Sequence, residues 1–175
     1  AEGWGETPLS VQWVWPSPLS YQQRYQVLLQ LCRSLVTAWA NFEVRGHPLE
    51  IGCAFQEQAL PHLLAEINQQ RGIDAEPVPW LAALVCCSPF DIALHDAYGN
   101  LTGQPIYETY GPPFIERDLS HFLEPAAGAG VSFEGKYIAD YLVSNPPAHL
   151  PAWHLVGGLD PLDAGELSGE EPEDG

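Results

Sequence analysis

The chain has 175 residues, 46% of them hydrophobic, which suits one ordinary globular domain with a sizeable core. Its 23 acidic against 6 basic residues give a formal charge of -17, which repels phosphate backbones and anionic lipid and excludes nucleic acid and membrane surfaces as partners. Cys32, Cys53, Cys86 and Cys87 stand in apolar helical patterns, not at disulfide-scaffold or zinc-knuckle spacing, and read as buried free thiols.

No charged-then-apolar leader opens the sequence, and no uninterrupted apolar run reaches the ~18 residues of a membrane helix, so a cytoplasmic location is expected. Residues 3–15 alternate in places, and Val11, Trp13 and Trp15 would share one face of an extended segment. Pro16 and Pro18 then stop strand pairing. Ser20, with Gln23 at the capping-box position, opens a helix over 21–42. Its apolar residues Tyr21, Tyr25, Leu28, Cys32, Leu35, Trp39 and Phe42 alternate spacings of four and three, which draws one stripe for a globular core.

Gly46-His47-Pro48 breaks that pattern, and a second helical region is predicted over roughly 54–70. Pro61 should split or kink it near Leu60, because a proline removes a helix hydrogen bond at a cost of ~3 kcal/mol. Residues 72–79 read as a loop, and Pro79 starts a third helix running to about Tyr98, with Gly99 or Gly103 as its stop. Ser88-Pro89 inside that helix predicts a kink. Regularity falls away after Gly111. Residues 112–149 carry five prolines and the run Ala-Ala-Gly-Ala-Gly at 126–130, the composition of an irregular linker or insertion. Leu150–Val156, ending at Gly157-Gly158, reads as a short buried strand. Seven acids and no base in the last 16 residues make a solvated acidic end.

Two ordered motifs carry a family resemblance. Gly3-Trp4-Gly5-Glu6 resembles the G-W-G-E strand of the mandelate racemase and muconate lactonizing branch of the enolase superfamily. Asp91, Ala93, Leu94, Asp96, Gly103, Pro105, Tyr107 and Gly111 are similar to its helix signature A-x-D-x-A-L-W-D and the following G-x-P-x-Y and L-L-G. His95 stands where that family usually has Trp, Asn100 where Lys is common, and Thr109-Tyr110 where Leu-Leu is typical. The resemblance implies an α+β fold: a capping domain over 1–111 without its first two strands, a linker over 112–149, and the first strand of a (β/α)8 barrel with an acidic loop over 150–175. It further implies an Mg2+-dependent parent enzyme that removes a proton alpha to a carboxylate, as a racemase, dehydratase or cycloisomerase. The metal ligands and bases would lie outside this chain, whose partners would be the rest of the barrel, a small carboxylate substrate and, in the full-length protein, further copies of itself. The chain would then be a fragment that holds no catalytic residue and covers the barrel mouth. In that family the loop after G-W-G-E closes over the substrate, which makes Trp13, Val14, Trp15 and Ser17 specificity candidates, and places His154 on a barrel strand facing the active site.

Other residues that could do chemistry have plainer readings. Lys136 is the only lysine, so no Lys-x-Lys base pair exists. Asp91 and Asp96 lie about 140 degrees apart around a helix, poor geometry for paired carboxylates, and Asp96 reads as structural. His95 and Asp96, as sequence neighbours on a helix, point apart, so His95 reads as a packed or surface histidine. His47, His62, His121, His149 and His154 show no metal-ligand spacing. A rival function is a non-catalytic acidic binding module that uses exposed tryptophans on a glycan or a protein; ordinary packing is a third role for any one tryptophan.

Overall fold

The computed structural model describes residues 1–152, 163, 165–167 and 169. The chain divides into two compact units, Ala1–Leu142 and Val143–Gly175. The first unit is built on α2 (Tyr21–Ala40) and α5 (Trp80–Thr102), packed on one another, with α1 (Val11–Val14), α3 (Pro48–Gln58) and α4 (Leu60–Arg71) around them. Among the described residues all regular structure is helical, so the expected α+β architecture is not the fold. Residues 3–6 carry no strand assignment, since a strand needs a partner ladder, and among the described residues no backbone-to-backbone hydrogen bond reaches them. Val11, Trp13 and Trp15 do not share a strand face either, because Ser10 takes a left-handed conformation (φ 47°) and starts the single turn α1. The expected strand at 150–156 lies mostly outside the described residues; Leu150 is exposed, and 150–152 carry no regular structure.

α2 begins as its sequence dictates. The Ser20 hydroxyl accepts from the Gln23 amide while the Gln23 side chain accepts from the Ser20 amide. The helix buries Leu28 and Leu35 of its expected stripe, and Leu31 beside it, completely, each worth roughly 1.5–3 kcal/mol. At its far end Trp39 stacks on Phe55 of α3, with centroids 3.9 Å apart, and Phe42 meets Phe55 edge-on at 5.1 Å.

The second helical region starts earlier than expected, at Pro48. Pro48 occupies the first turn, where its missing N–H costs nothing, and the preceding His47 caps the helix with its ring. Pro61 does separate α3 from α4, with Ala59 between them. α5 runs unbroken through Pro89. Proline leaves the Val85 carbonyl without its usual amide partner, and the Ser88 hydroxyl donates to that carbonyl at 2.8 Å in its place. The helix stops at Gly103 (φ 68°), whose N–H bonds the Gly99 carbonyl at 2.9 Å. By length and composition α5 could cross a membrane, yet Ala82, Ala83, Cys86 and Cys87 are buried in the core with α2.

The stretch after Gly111 is irregular, and residues 123–132 of it are exposed. Ile115 and Leu119 are buried, one Glu50 carboxylate oxygen accepts from the Glu116 and Arg117 amides, and the Leu119 amide donates to the Lys136 carbonyl at 2.7 Å. Short 3-10 turns at Ile106–Thr109, Leu119–His121 and Ile138–Tyr141 complete this unit. In the second unit Asp163 accepts through its side chain from the Gly165 amide at 2.7 Å.

Candidate functional site

The segment Gly3–Glu6 lies along α5 with backbone against backbone. Its residues alternate, Gly3 and Gly5 inward and Trp4 and Glu6 outward. A Cβ on Gly5 would sit 2.0 Å from the Pro89 carbonyl oxygen, and one on Gly3 would sit 2.2 Å from the Ala93 oxygen, so only glycine fits at either position. Asp96 Oδ2 accepts from the Trp4 amide at 2.8 Å, and the Asn100 side chain donates to the Glu2 carbonyl at 2.9 Å. Asp96 is thereby a backbone clamp. The Ser88 oxygen, whose hydrogen goes to the Val85 carbonyl, also lies 3.0 Å from Thr7 Oγ1, which continues the seam.

The four residues of the expected specificity loop divide sharply. Val14 and Trp15 are core residues, each 1% exposed. The Trp15 indole N–H donates to Glu76 Oε1 at 3.0 Å, the Ser17 hydroxyl donates to Glu76 Oε2, and the Arg71 guanidinium lies 5.1 Å from the Trp15 ring centroid. Those two donors, Ser17 first, hold the Glu76 carboxyl below its ordinary range. Arg24 donates to the Trp15 carbonyl. Trp13 alone of the four presents a large surface, 67% exposed, and Trp4 is 79% exposed. Buried Val11 two residues before it, and Val14 and Trp15 after it, make the turn a firm mount for an outward ring. His154 lies outside the described residues, and the exposed Lys136 meets the fold through its backbone.

A second constellation joins α3, α5 and the turn after α5. His47 is 1% exposed; its Nδ1 accepts from the Leu49 amide at 3.1 Å, and its Nε2 donates to Thr109 Oγ1 at 2.9 Å. The Thr109 hydroxyl in turn donates to the Ile106 carbonyl at 2.6 Å. This arrangement requires a neutral ring, and burial first, then neighbouring His95, push the His47 pKa down to about 4 against the opposing pull of Glu50. Tyr98 and Tyr110 pack on His47 with centroids 5.0 and 5.4 Å away.

His95 Nδ1 donates to the Asp91 carbonyl at 2.8 Å, one turn back, and lies 3.7 Å from the Asp91 carboxylate. Desolvation raises the Asp91 pKa, with His95 opposing. Gly52 of α3 leaves room for that carboxylate, since a Cβ there would come within 2.4 Å of Asp91 Oδ1. An open hollow of about 370 Å³ lies alongside, bounded by His95, Asp96, Tyr107 and Tyr110. Asp91 and His95 thus meet through a helical turn, whereas Asp96 points to the G-W-G-E segment. Among the described residues no group of three His, Cys, Asp or Glu side chains that could hold a metal ion converges.

The His47 cap was missed from sequence because histidine is not among the usual N-cap residues. Pro48 at the first helical position and Glu50 at the third, whose carboxylate accepts from the His47 amide at 3.1 Å, were the signal that could have revealed it. No protein-family model, no curated protein and no solved structure matches the chain.

Proposed function

We propose that the chain is the capping and specificity part of an Mg2+-dependent enolase-superfamily enzyme that abstracts a proton alpha to a carboxylate, as a racemase, dehydratase or cycloisomerase. One observation carries the reading: the two motifs on which the resemblance rests touch one another, although 92 residues separate Trp4 from Asp96. The first motif supplies glycines where α5 leaves no space for a side chain, and the second supplies the carboxylate that receives the Trp4 amide. On this reading the helical unit backs an outward Trp13 at the mouth of a barrel, where it excludes water and adds apolar contacts to the substrate. The Mg2+ ligands and the base belong to the barrel. Four free thiols suit a reducing, cytoplasmic setting.

The exposure of Trp4 and Trp13 also favours a second reading, an acidic binding module that stacks these rings on a glycan or on a partner protein. One experiment separates the two. The polypeptide encoded by the whole reading frame around these 175 residues is incubated with Mg2+ and a panel of small carboxylates in D2O. The capping role gives alpha-proton exchange that chelation abolishes, with a substrate preference that Trp13→Ala shifts by about ten- to a few hundred-fold. Absence of exchange across the panel, together with glycan binding that Trp13→Ala removes, would replace the first reading with the second.

A further inference from the structure

We propose that the hollow beside Asp91, Tyr107 and Tyr110 binds an organic cation, an alkylammonium that sets its N–H on the Asp91 carboxylate and its methyl groups against the tyrosine rings. The hollow, about 370 Å³, lies where the second half of α5 meets the turn Ile106–Thr109. That volume is at the small end for ligand sites, and a second hollow of about 360 Å³ shares its His95, Asp96 and Ile106 walls. The Tyr107 and Tyr110 rings have centroids 6.1 Å apart and planes at 64°, so they form a corner and not a stack. His95 continues the wall, its ring centroid 6.2 Å from that of Tyr110. The electron-rich face of a tyrosine attracts a weakly hydrated cation placed within about 6 Å of its centroid.

The carboxylate makes the corner selective for charge. Asp91 Oδ1 is held close to α3, where a Cβ on Gly52 would meet it at 2.4 Å, and Oδ2 lies 3.7 Å from His95 Nδ1. Among the described residues neither oxygen accepts a hydrogen bond, because the His95 Nδ1 proton goes to the Asp91 backbone carbonyl instead. No arginine or lysine lines either hollow. A carboxylate drawn out of water without a donor is costly, and burial accordingly raises the Asp91 pKa, with His95 opposing. An N–H carried in by a cation supplies both the missing hydrogen bond and the missing charge. Asp96 has a different part, since its Oδ2 already receives the Trp4 amide; it adds negative potential at the rim. The formal charge of -17 on the chain gathers cations around it in the same sense. The rest of the ligand would run along the second hollow, past Pro105 and Ile106. None of this depends on the enzyme to which the chain belongs.

The test is a titration of the folded chain with dimethylethanolammonium chloride at constant ionic strength, followed by amide and aromatic NMR. Saturable shifts centred on residues 91–110, with contacts from the N-methyl protons to the Tyr107 and Tyr110 rings, are the expected result. Isoamyl alcohol, which has the same shape with a C–H in place of the charged N–H, should give no saturable shift. Asp91→Asn keeps the shape of the side chain without its charge and should weaken binding about tenfold or more. Tyr107→Leu, at an exposed position that the fold does not need, should weaken it about two- to fivefold. Circular dichroism confirms that each variant is folded. Equal binding of the alcohol would reduce the site to an apolar hollow, and shifts that rise linearly over the whole acidic surface would mean counterion attraction alone. Either outcome, or full affinity in both variants, would overturn the proposal.

Discussion

His47 should make the fold sensitive to mild acid, and the size of the effect follows from its surroundings. The ring is neutral in the folded chain down to about 4, against an ordinary value of 6.5 in the unfolded chain. Between those values the unfolded state takes up a proton that the folded state refuses, so stability is complete above 6.5 and declines as pH falls. At about 1.4 kcal/mol per pH unit, the loss between pH ~7.5 and ~5 amounts to about 2 kcal/mol. A floor near pH 5 keeps the protein above its isoelectric point of about 4.4. Asp91 works the other way, since its raised pKa favours the fold as pH falls, and a comparison with a variant removes that background. His47→Asn retains a side chain able to accept from the Leu49 amide but cannot titrate. Urea unfolding of both proteins, followed by tryptophan fluorescence across that pH range, should show the wild-type advantage shrinking by about 2 kcal/mol. A constant difference at every pH, or an NMR titration placing the His47 ring near 6.5, would refute the reasoning.

Gly5→Ala would place a Cβ against the Pro89 carbonyl and lift the segment from α5, so the Trp4 amide should lose its protection from hydrogen exchange while stability drops by about 1–3 kcal/mol; unchanged protection would show that the seam has slack. Leu35→Asp puts an unpaired charge at a fully buried position and should abolish the folded circular dichroism spectrum, whereas Leu35→Ala should leave a fold weakened by about 2–5 kcal/mol. Trp13→Ala should change stability by no more than about 0.5 kcal/mol in thermal unfolding. Trp15→Ala should cost about 3–5 kcal/mol in the same assay, and equal losses for the two would mean that Trp13 is also packed.

The helical skeleton was legible because its signals are local. The Ser20 box, the Leu28–Leu35 stripe, Pro61 and Gly103 each act within a few residues of themselves, and the structure uses them as read. What the sequence hid depends on contacts far along the chain. Residues 3–6 alternate as a strand would, but whether such a segment pairs as a strand or lies on a helix depends on what it meets, and here it meets Pro89 and Ala93. The loop tryptophans show the same limit: Trp13 and Trp15 are two apart, and only the left-handed Ser10 and distant Glu76 send one outward and the other into the core. Pro89 signalled a kink inside α5, and the Ser88 hydroxyl takes the carbonyl that the proline frees, a compensation with no one-dimensional signature.

The seam between the first residues and α5 also sets an order of assembly. α3 and α4 meet across a single residue, and α2 and α5 can zip together through a broad apolar face, so the bundle can form early. Closing Trp4 onto Asp96 spans most of the first unit and carries a large loop entropy for one clamp and a strip of glycine contacts. It should therefore be the last step in folding and the first to reverse, leaving a species in which the helices are intact while α5 shows a bare backbone groove between Pro89 and Ala97. Whatever extended chain reaches that groove first, its own amino-terminal segment or that of a neighbour, would fit it equally well, so the fold carries a built-in route to exchange of that segment between molecules at high concentration.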